Sequence, residues 1–220
     1  MEQIHKSTLD FLNNLKHNNN RDWFIKNKPA YIAAKENFES FVQGLIDRII
    51  DFDPIMKGLE VKNCVYRINR DIRFSNDKSP YKSHLGAFIV RGGKRNGDKF
   101  AGYYFHIESG KNIIAGGAYM PPSPWLSAIR EKIDDEGDKL IKIINAKDFK
   151  KYLGKIDGEK LKKAPKGYPS DHPNIDLLRY KSFLVVNDVS DKDVLSDTYS
   201  DHVSSVFRAM KPFNDFLNEY

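Results

Sequence analysis

The chain has 220 residues, of which 40% are hydrophobic and 12% aromatic, enough to bury a sizeable core. Lys and Arg number 36 against 30 Asp and Glu, and a net charge of +6 is a weaker excess than a dedicated binder of duplex nucleic acid carries. No run approaches the roughly 18 apolar residues of a membrane span, and Met1 to Lys6 lacks a signal-peptide pattern, so the expectation is a cytoplasmic protein without a membrane partner.

The first fifty residues read as helix. Ser7 or Thr8 can cap a first helix bearing Leu9, Phe11, Leu12 and Leu15, which Asn18-Asn19-Asn20 ends. Asn20 can cap a brief turn with Trp23 and Phe24. Pro29 suits the first turn of a long helix, in which Tyr31, Ala34, Phe38, Phe41, Val42, Leu45, Ile46 and Ile49 recur at helical spacing until Asp51-Phe52-Asp53-Pro54. The middle reads as sheet, with strands expected over Val61–Arg67, Leu85–Val90, Phe100–Ile107 and Ile113–Met120. Short glycine-bearing connections (Gly92 to Gly97, Ser109 to Lys111) make these strands antiparallel neighbours. Cys64, the lone cysteine, excludes an internal disulfide and a cysteine-based zinc site and reads as a buried thiol.

Ser123-Pro124 opens a helix with Trp125, Leu126, Ile129 and Ile133; a second helical pattern follows through Leu140, Ile141 and Ile144, and a short one over Asp148 to Leu153. A basic proline-bearing loop from Lys160 to Pro173 has the character of a lid or a stiffened excursion. Phe183 to Asn187 is one more strand. Ser190, with Asp193 in the capping-box position, opens a last helix bearing Tyr199, Val203, Val206, Phe207, Met210, Phe213 and Leu217, which Pro212 should kink or restart. The predicted fold class is α+β over residues 1–220 as one domain: a central, mostly antiparallel sheet flanked by N-terminal and C-terminal helices.

The charge is local. From Lys62 to Arg95 stand nine cations and two acids, Asp71 and Asp77, so the rest of the chain is roughly neutral. Arg67, Arg70, Arg73, Lys78 and Lys82 are the candidate anion-binding residues, because guanidinium forks suit bidentate recognition of phosphate or carboxylate. The competing reading pairs Arg70 or Arg73 with Asp71, Asp77 or Asp22 to pin the loop, with Asp77-Lys78-Ser79-Pro80 as a turn. His84 and His106 are the candidate catalytic residues, as movers of a proton beside a bound anion. On a strand His106 shares a face with Glu108 and Tyr104. His84, His106 and Glu108, with Asp171, could form a divalent-metal site, but no compact zinc-type spacing occurs, so no metal is assigned and the cofactor stays open. Gly116 and Gly117 lack the strand-to-helix context of a nucleotide motif and mark a bulge or a close backbone approach.

Asn19-Asn20-Arg21-Asp22-Trp23-Phe24, the run from Arg67 to His84, Leu161-Lys162-Lys163-Ala164-Pro165-Lys166-Gly167-Tyr168 and Asp171-His172-Pro173 together resemble the bacterial and fungal family called domain of unknown function 2461. The resemblance implies a compact intracellular domain without an established activity, and it supplies no catalytic residues. Three functions follow from the residues themselves. The first is a small-molecule site for a phosphorylated or carboxylated ligand, binding or enzymatic. The second is a structural or interaction domain with an internal arginine network. The third is a single-stranded nucleic-acid binder using Tyr66, Phe74, Tyr81, Tyr103 and Tyr104 for stacking.

Overall fold

The computed structural model describes residues 3–219. Helix α1 spans Lys6–His17 and buries Leu9, Phe11, Leu12 and Leu15. It starts earlier than the expected cap, and neither hydroxyl caps it: Thr8 is buried and donates to Asn37 Oδ1 at 2.8 Å, tying α1 to the long helix. Helix α2, Arg21–Lys26, is capped as expected, with Asn20 Oδ1 accepting from the Trp23 amide at 2.9 Å. Helix α3, Lys28–Ile50, has a proline in its first turn and buries the anticipated stripe from Ala34 to Ile49.

Strands β1 (Leu85–Ile89), β2 (Gly102–Ile107), β3 (Asn112–Ala118) and β4 (Phe183–Val189) form an antiparallel sheet in the order β1-β2-β3-β4. The predicted strand Val61–Arg67 does not form. Val61–Asn63 is a 3-10 turn, because the Cys64 and Val65 amides fold back onto Val61 O at 2.8 and 3.0 Å. Only the Tyr66 amide to Gly86 O, at 2.9 Å, and the Phe88 amide to Cys64 O, at 3.0 Å, remain for pairing with β1. Arg67 and Asn69 therefore do not share a strand face.

Helix α4, Ser123–Asn145, joins the two helical patterns into one element, broken at Glu136 (φ −125°, ψ 31°). Helices α5 (Lys147–Tyr152) and α6 (Ile175–Leu178) are short. The expected last helix is two. Ser190 Oγ accepts from the Asp193 amide at 3.2 Å to cap only α7, Asp191–Val194, and α8 begins afresh at Tyr199. Helix α8, Tyr199–Asn218, runs through Pro212 without a break.

One hydrophobic core runs from Ile4 to Leu217. Leu85, Ala87, Ile89, Tyr103, Phe105 and Ile107 point into it, and Phe38 and Phe41 of α3 stack on Phe105 at 5.6 and 5.2 Å. Met210 of α8 packs so closely on Gly116 that an added Cβ would lie 2.1 Å from its sulfur. At Gly117 (φ 106°) a Cβ would lie 2.0 Å from Phe183 O, so the glycine pair is a close backbone approach. The opposite face, with Gly86, Phe88, Tyr104, His106 and Glu108 in alternation, is left for the site. Among the described residues no helix is long and apolar enough to cross a membrane.

Candidate functional site

Residues 68–82 form a hairpin beside β1. Asn69 bridges to Tyr81, the Arg70 amide donates to Pro80 O at 3.0 Å, and the Lys82 amide donates to Ile68 O at 2.8 Å. The helical layer holds it. Asn19 clasps the Tyr81 backbone from both sides, donating to its carbonyl at 2.9 Å and accepting from its amide at 3.1 Å. Phe24 stacks on the Tyr81 ring at 3.9 Å. The Asn19 to Phe24 motif thus docks the cationic hairpin onto α2.

Three of the five candidate anion-binding cations are spent inside this hairpin. Asp77 Oδ1 accepts from the Ser79 amide at 2.9 Å and from its hydroxyl at 2.6 Å, while Oδ2 receives Arg70. The Ser79 bonds first, and Arg70 after them, hold the Asp77 carboxyl well below the usual range. Arg73 grips Asp71 through Nε at 2.9 Å and Nη2 at 2.6 Å, lowering the Asp71 carboxyl to about 2. Lys78 donates to Ile72 O at 3.1 Å. Asp22 takes no part in these pairs.

Arg67 and Lys82 are different. Among the described residues neither has a carboxylate within ion-pair distance. Lys82 is half-buried, with Nζ 5.2 Å from the centroid of the Tyr66 ring. Burial, and then the charge of Arg67, lowers its pKa. A half-buried ammonium beside a second cation is uncompensated charge, which an anion would relieve.

The histidines are positioned by sheet register. Gly86 stands opposite His106 and Leu85 opposite Ile107, so the antiparallel ladder carries His84, just before β1, toward Glu108, just after β2. Gly86 has no side chain, and a Cβ there would lie 3.1 Å from the Tyr104 hydroxyl, so this position keeps the face clear. The His84 and His106 rings stack at 4.3 Å with 27° between planes. His106 Nε2 is 3.4 Å from Glu108 Oε2, and its Nδ1 shares a hydrogen bond with the Tyr104 hydroxyl at 3.0 Å. Ser83 donates to Glu108 Oε1 at 2.8 Å. One ligand atom each from His84, His106 and Glu108 lies within 4.8 Å of the others.

Burial, reinforced by His106, Lys82 and Arg70 against the opposing Glu108, pushes His84 down to about 4. Burial also lowers His106, although Glu108 opposes it. Burial would raise Glu108, but the bonds from Ser83 and His106 outweigh it and hold the carboxyl below its ordinary value. Near pH 7 the group is two neutral imidazoles and a carboxylate: His106 Nε2 donates to Glu108 and its Nδ1 accepts from the Tyr104 hydroxyl, while His84, with no hydrogen bond among the described residues, keeps a ring lone pair open.

Other sequence signals lie elsewhere. His172 bonds Asp134 of α4 at 2.8 Å, and neither it nor Asp171 joins the His84 group. The loop from Lys160 to Pro173 is tied by Arg179, which donates to Leu161 O at 2.7 Å and Lys162 O at 3.1 Å, and none of its described bonds reaches residues 67–84. Of the proposed stacking aromatics, Tyr103 and Tyr81 are only 0% and 9% exposed, so they present no ring to a base. A separate cleft of about 350 Å³ lies between α8 and Asp53. Its Lys211 is already neutralised by Asp215 at 2.6 Å and Asp53 at 3.9 Å. Sequence reasoning missed Ser83 and Gly86; one orients Glu108 and the other clears the face, and both roles depend on register.

A helix-backed antiparallel meander with a histidine–carboxylate group on its other face, flanked by a helix-clasped cationic hairpin, defines the class of protein. The chain belongs to the family of conserved hypothetical proteins DUF2461, which its residues 7–216 match. No curated protein and no solved structure matches it.

Proposed function

We propose that the protein binds a small molecule bearing a phosphate or carboxylate, with the anionic group held by Lys82 and Arg67 and the rest of the ligand against His84, His106 and Tyr104. The observation that carries this reading is Lys82, a half-buried ammonium that, among the described residues, has no carboxylate within ion-pair distance and lies near a second cation, Arg67. His84 and His106 supply the chemistry of the inner wall; a proton taken from the ligand passes to the open ring nitrogen of His84, with His106 and Glu108 beside it. Arg70, Arg73 and Lys78 are engaged by partners within the hairpin that presents Lys82. The structural reading applies to these three, whose partners are Asp77, Asp71 and the Ile72 carbonyl.

The test is a thermal-shift screen of phosphates, nucleotides, sugar phosphates and carboxylates on wild type and Lys82→Gln. A ligand present at a hundred times its Kd stabilises the fold by about 2.7 kcal/mol, a shift readily seen. The expected result is a shift in wild type that Lys82→Gln loses. Equal shifts in both proteins, or none across the panel, would remove the proposal.

A further inference from the structure

We infer that His84, His106 and Glu108 bind one divalent transition-metal ion, zinc being the probe of choice, and that the ion's open positions face the anion held by Lys82 and Arg67. The inference deepens the proposed anion site: the ligand set stands on its own geometry, and the direction of the open positions rests on that reading.

Two imidazoles and a carboxylate are ligands that zinc and its neighbours favour, and three protein ligands leave room for an exogenous one. Bonds of about 2.1 Å place neighbouring ligand atoms of a tetrahedral ion about 3.4 Å apart. His106 Nε2 and Glu108 Oε2 are 3.4 Å apart, and all three candidate ligand atoms fall within 4.8 Å of one another. Rotation of the His84 ring, at the start of β1, closes the remaining gap.

The surrounding bonds aim the same atoms inward. Ser83 occupies Glu108 Oε1 at 2.8 Å, leaving Oε2 for the ion. The Tyr104 hydroxyl lies 3.0 Å from His106 Nδ1, so when an ion displaces the Nε2 proton that points at Glu108, the ring can carry its proton on Nδ1, donate it to Tyr104 and turn the Nε2 lone pair to the metal. Gly86 keeps a Cβ out of the face directly across from His106.

Charge links the two occupants. Lys82 and Arg67 oppose a bare dication, whereas a phosphate or carboxylate oxygen on the ion meets both cations and the metal together. Zinc and phosphate should therefore tighten each other's binding by the same factor.

The experiment is calorimetric titration of chelator-treated protein with Zn²⁺, with and without inorganic phosphate, and with Co²⁺ for its visible ligand-field bands. Wild type, His84→Ala, Glu108→Gln and Lys82→Gln are compared, each after circular dichroism of the metal-free protein. The expected result is one zinc per chain in wild type, tightened by phosphate. His84→Ala and Glu108→Gln should bind zinc at least about tenfold more weakly, and cobalt bands characteristic of nitrogen and oxygen ligation should vanish with them. Glu108→Gln preserves shape and decides the matter if His84→Ala does not fold. No zinc binding in wild type, or equal binding in folded Glu108→Gln, overturns the metal site. Phosphate binding that needs Lys82 but occurs without any zinc site would sink this inference alone. Zinc binding that needs Glu108, with no phosphate binding under any condition, would sink the anion reading and leave the ligand set standing.

Discussion

Arg70 and Lys82 belong to one cationic run and have opposite surroundings. The sequence shows the run, but whether each charge is neutralised depends on where single carboxylates land. Asp71 sits two residues from Arg73 and is gripped by it, and the turn at Asp77 swings a carboxylate onto Arg70. Among the described residues no carboxylate lies within ion-pair distance of Lys82, whose nearest charge effect comes from Arg67. This sorting makes a prediction. Arg73 is 75% exposed, so Arg73→Ala should leave both global stability and ligand binding unchanged in chemical denaturation and titration, as is usual for exposed ion pairs. A large loss of ligand affinity in Arg73→Ala would show that the hairpin pairs open to hold the anion themselves.

Cys64 was legible as a buried thiol, and it is fully buried. Burial pushes its pKa up to about 11, against a modest opposing effect of Lys94. An acid whose pKa is raised by folding contributes stability below its unfolded value of 9.0, and that contribution is lost as pH rises from there toward 11. Native protein at pH 8 should therefore resist a maleimide reagent that labels the denatured chain at once, and Cys64→Ser should flatten the alkaline loss of stability. Rapid native labelling would mean that the thiol is reachable from solvent.

At the scale of elements, helices were the most legible. The stripes of α1, α3 and α8 are all on the buried sides expected, because 3.6-residue periodicity is a local property of sequence. The errors fall where a local alternative competes for the backbone. Val61–Arg67 has the composition of a strand, yet the 3-10 turn at its start takes the amides that a ladder needs. Similarly, the Ser190 cap was recognised, but α7 ends at Val194 and Tyr199 begins a new helix. His106 and Glu108 could be placed on one face from their spacing alone. That His84 joins them could not, since it follows from the β1–β2 register, which the connection from Val90 to Ala101 sets.

The sheet's glycines give a second test at this scale. Gly117→Ala would drive a Cβ to 2.0 Å from the Phe183 carbonyl at φ 106°, whereas Gly110, also at positive φ, has nothing within 4 Å of such a Cβ. Gly110→Ala should cost about 1–2 kcal/mol, the price of left-handed backbone. Gly117→Ala should cost about 3 kcal/mol or more, because β3 must move away from β4. Urea denaturation of the two variants side by side makes the comparison. Equal losses would mean that the strands are not so closely apposed at that point.

For the whole molecule, the layer logic is simple. Helices α3 and α8 cover one face of the sheet with the aromatic core, and helix α2, with Asn19 just before it, anchors a charged hairpin beside the edge strand β1. The α+β class and antiparallel pairing were readable because strand composition, short connections and helical stripes agree with one another. The site was readable only in part: its cations and histidines were named, but it is assembled by contacts between distant segments, Asn19 with Tyr81 and His84 with His106. Arg70, Arg73 and Lys78 have partners within the hairpin, and in the proposed reading Lys82 and Arg67 are the charges left for an incoming anion.

The most direct measurement is a calorimetric titration of inorganic phosphate and a small dicarboxylate into wild type, Lys82→Gln and Arg73→Gln under identical low-salt conditions. The account predicts saturable binding in wild type and in Arg73→Gln, with affinity in Lys82→Gln reduced at least about tenfold, equivalent to about 1.4 kcal/mol. Unchanged binding in Lys82→Gln, or binding abolished by Arg73→Gln instead, would contradict it.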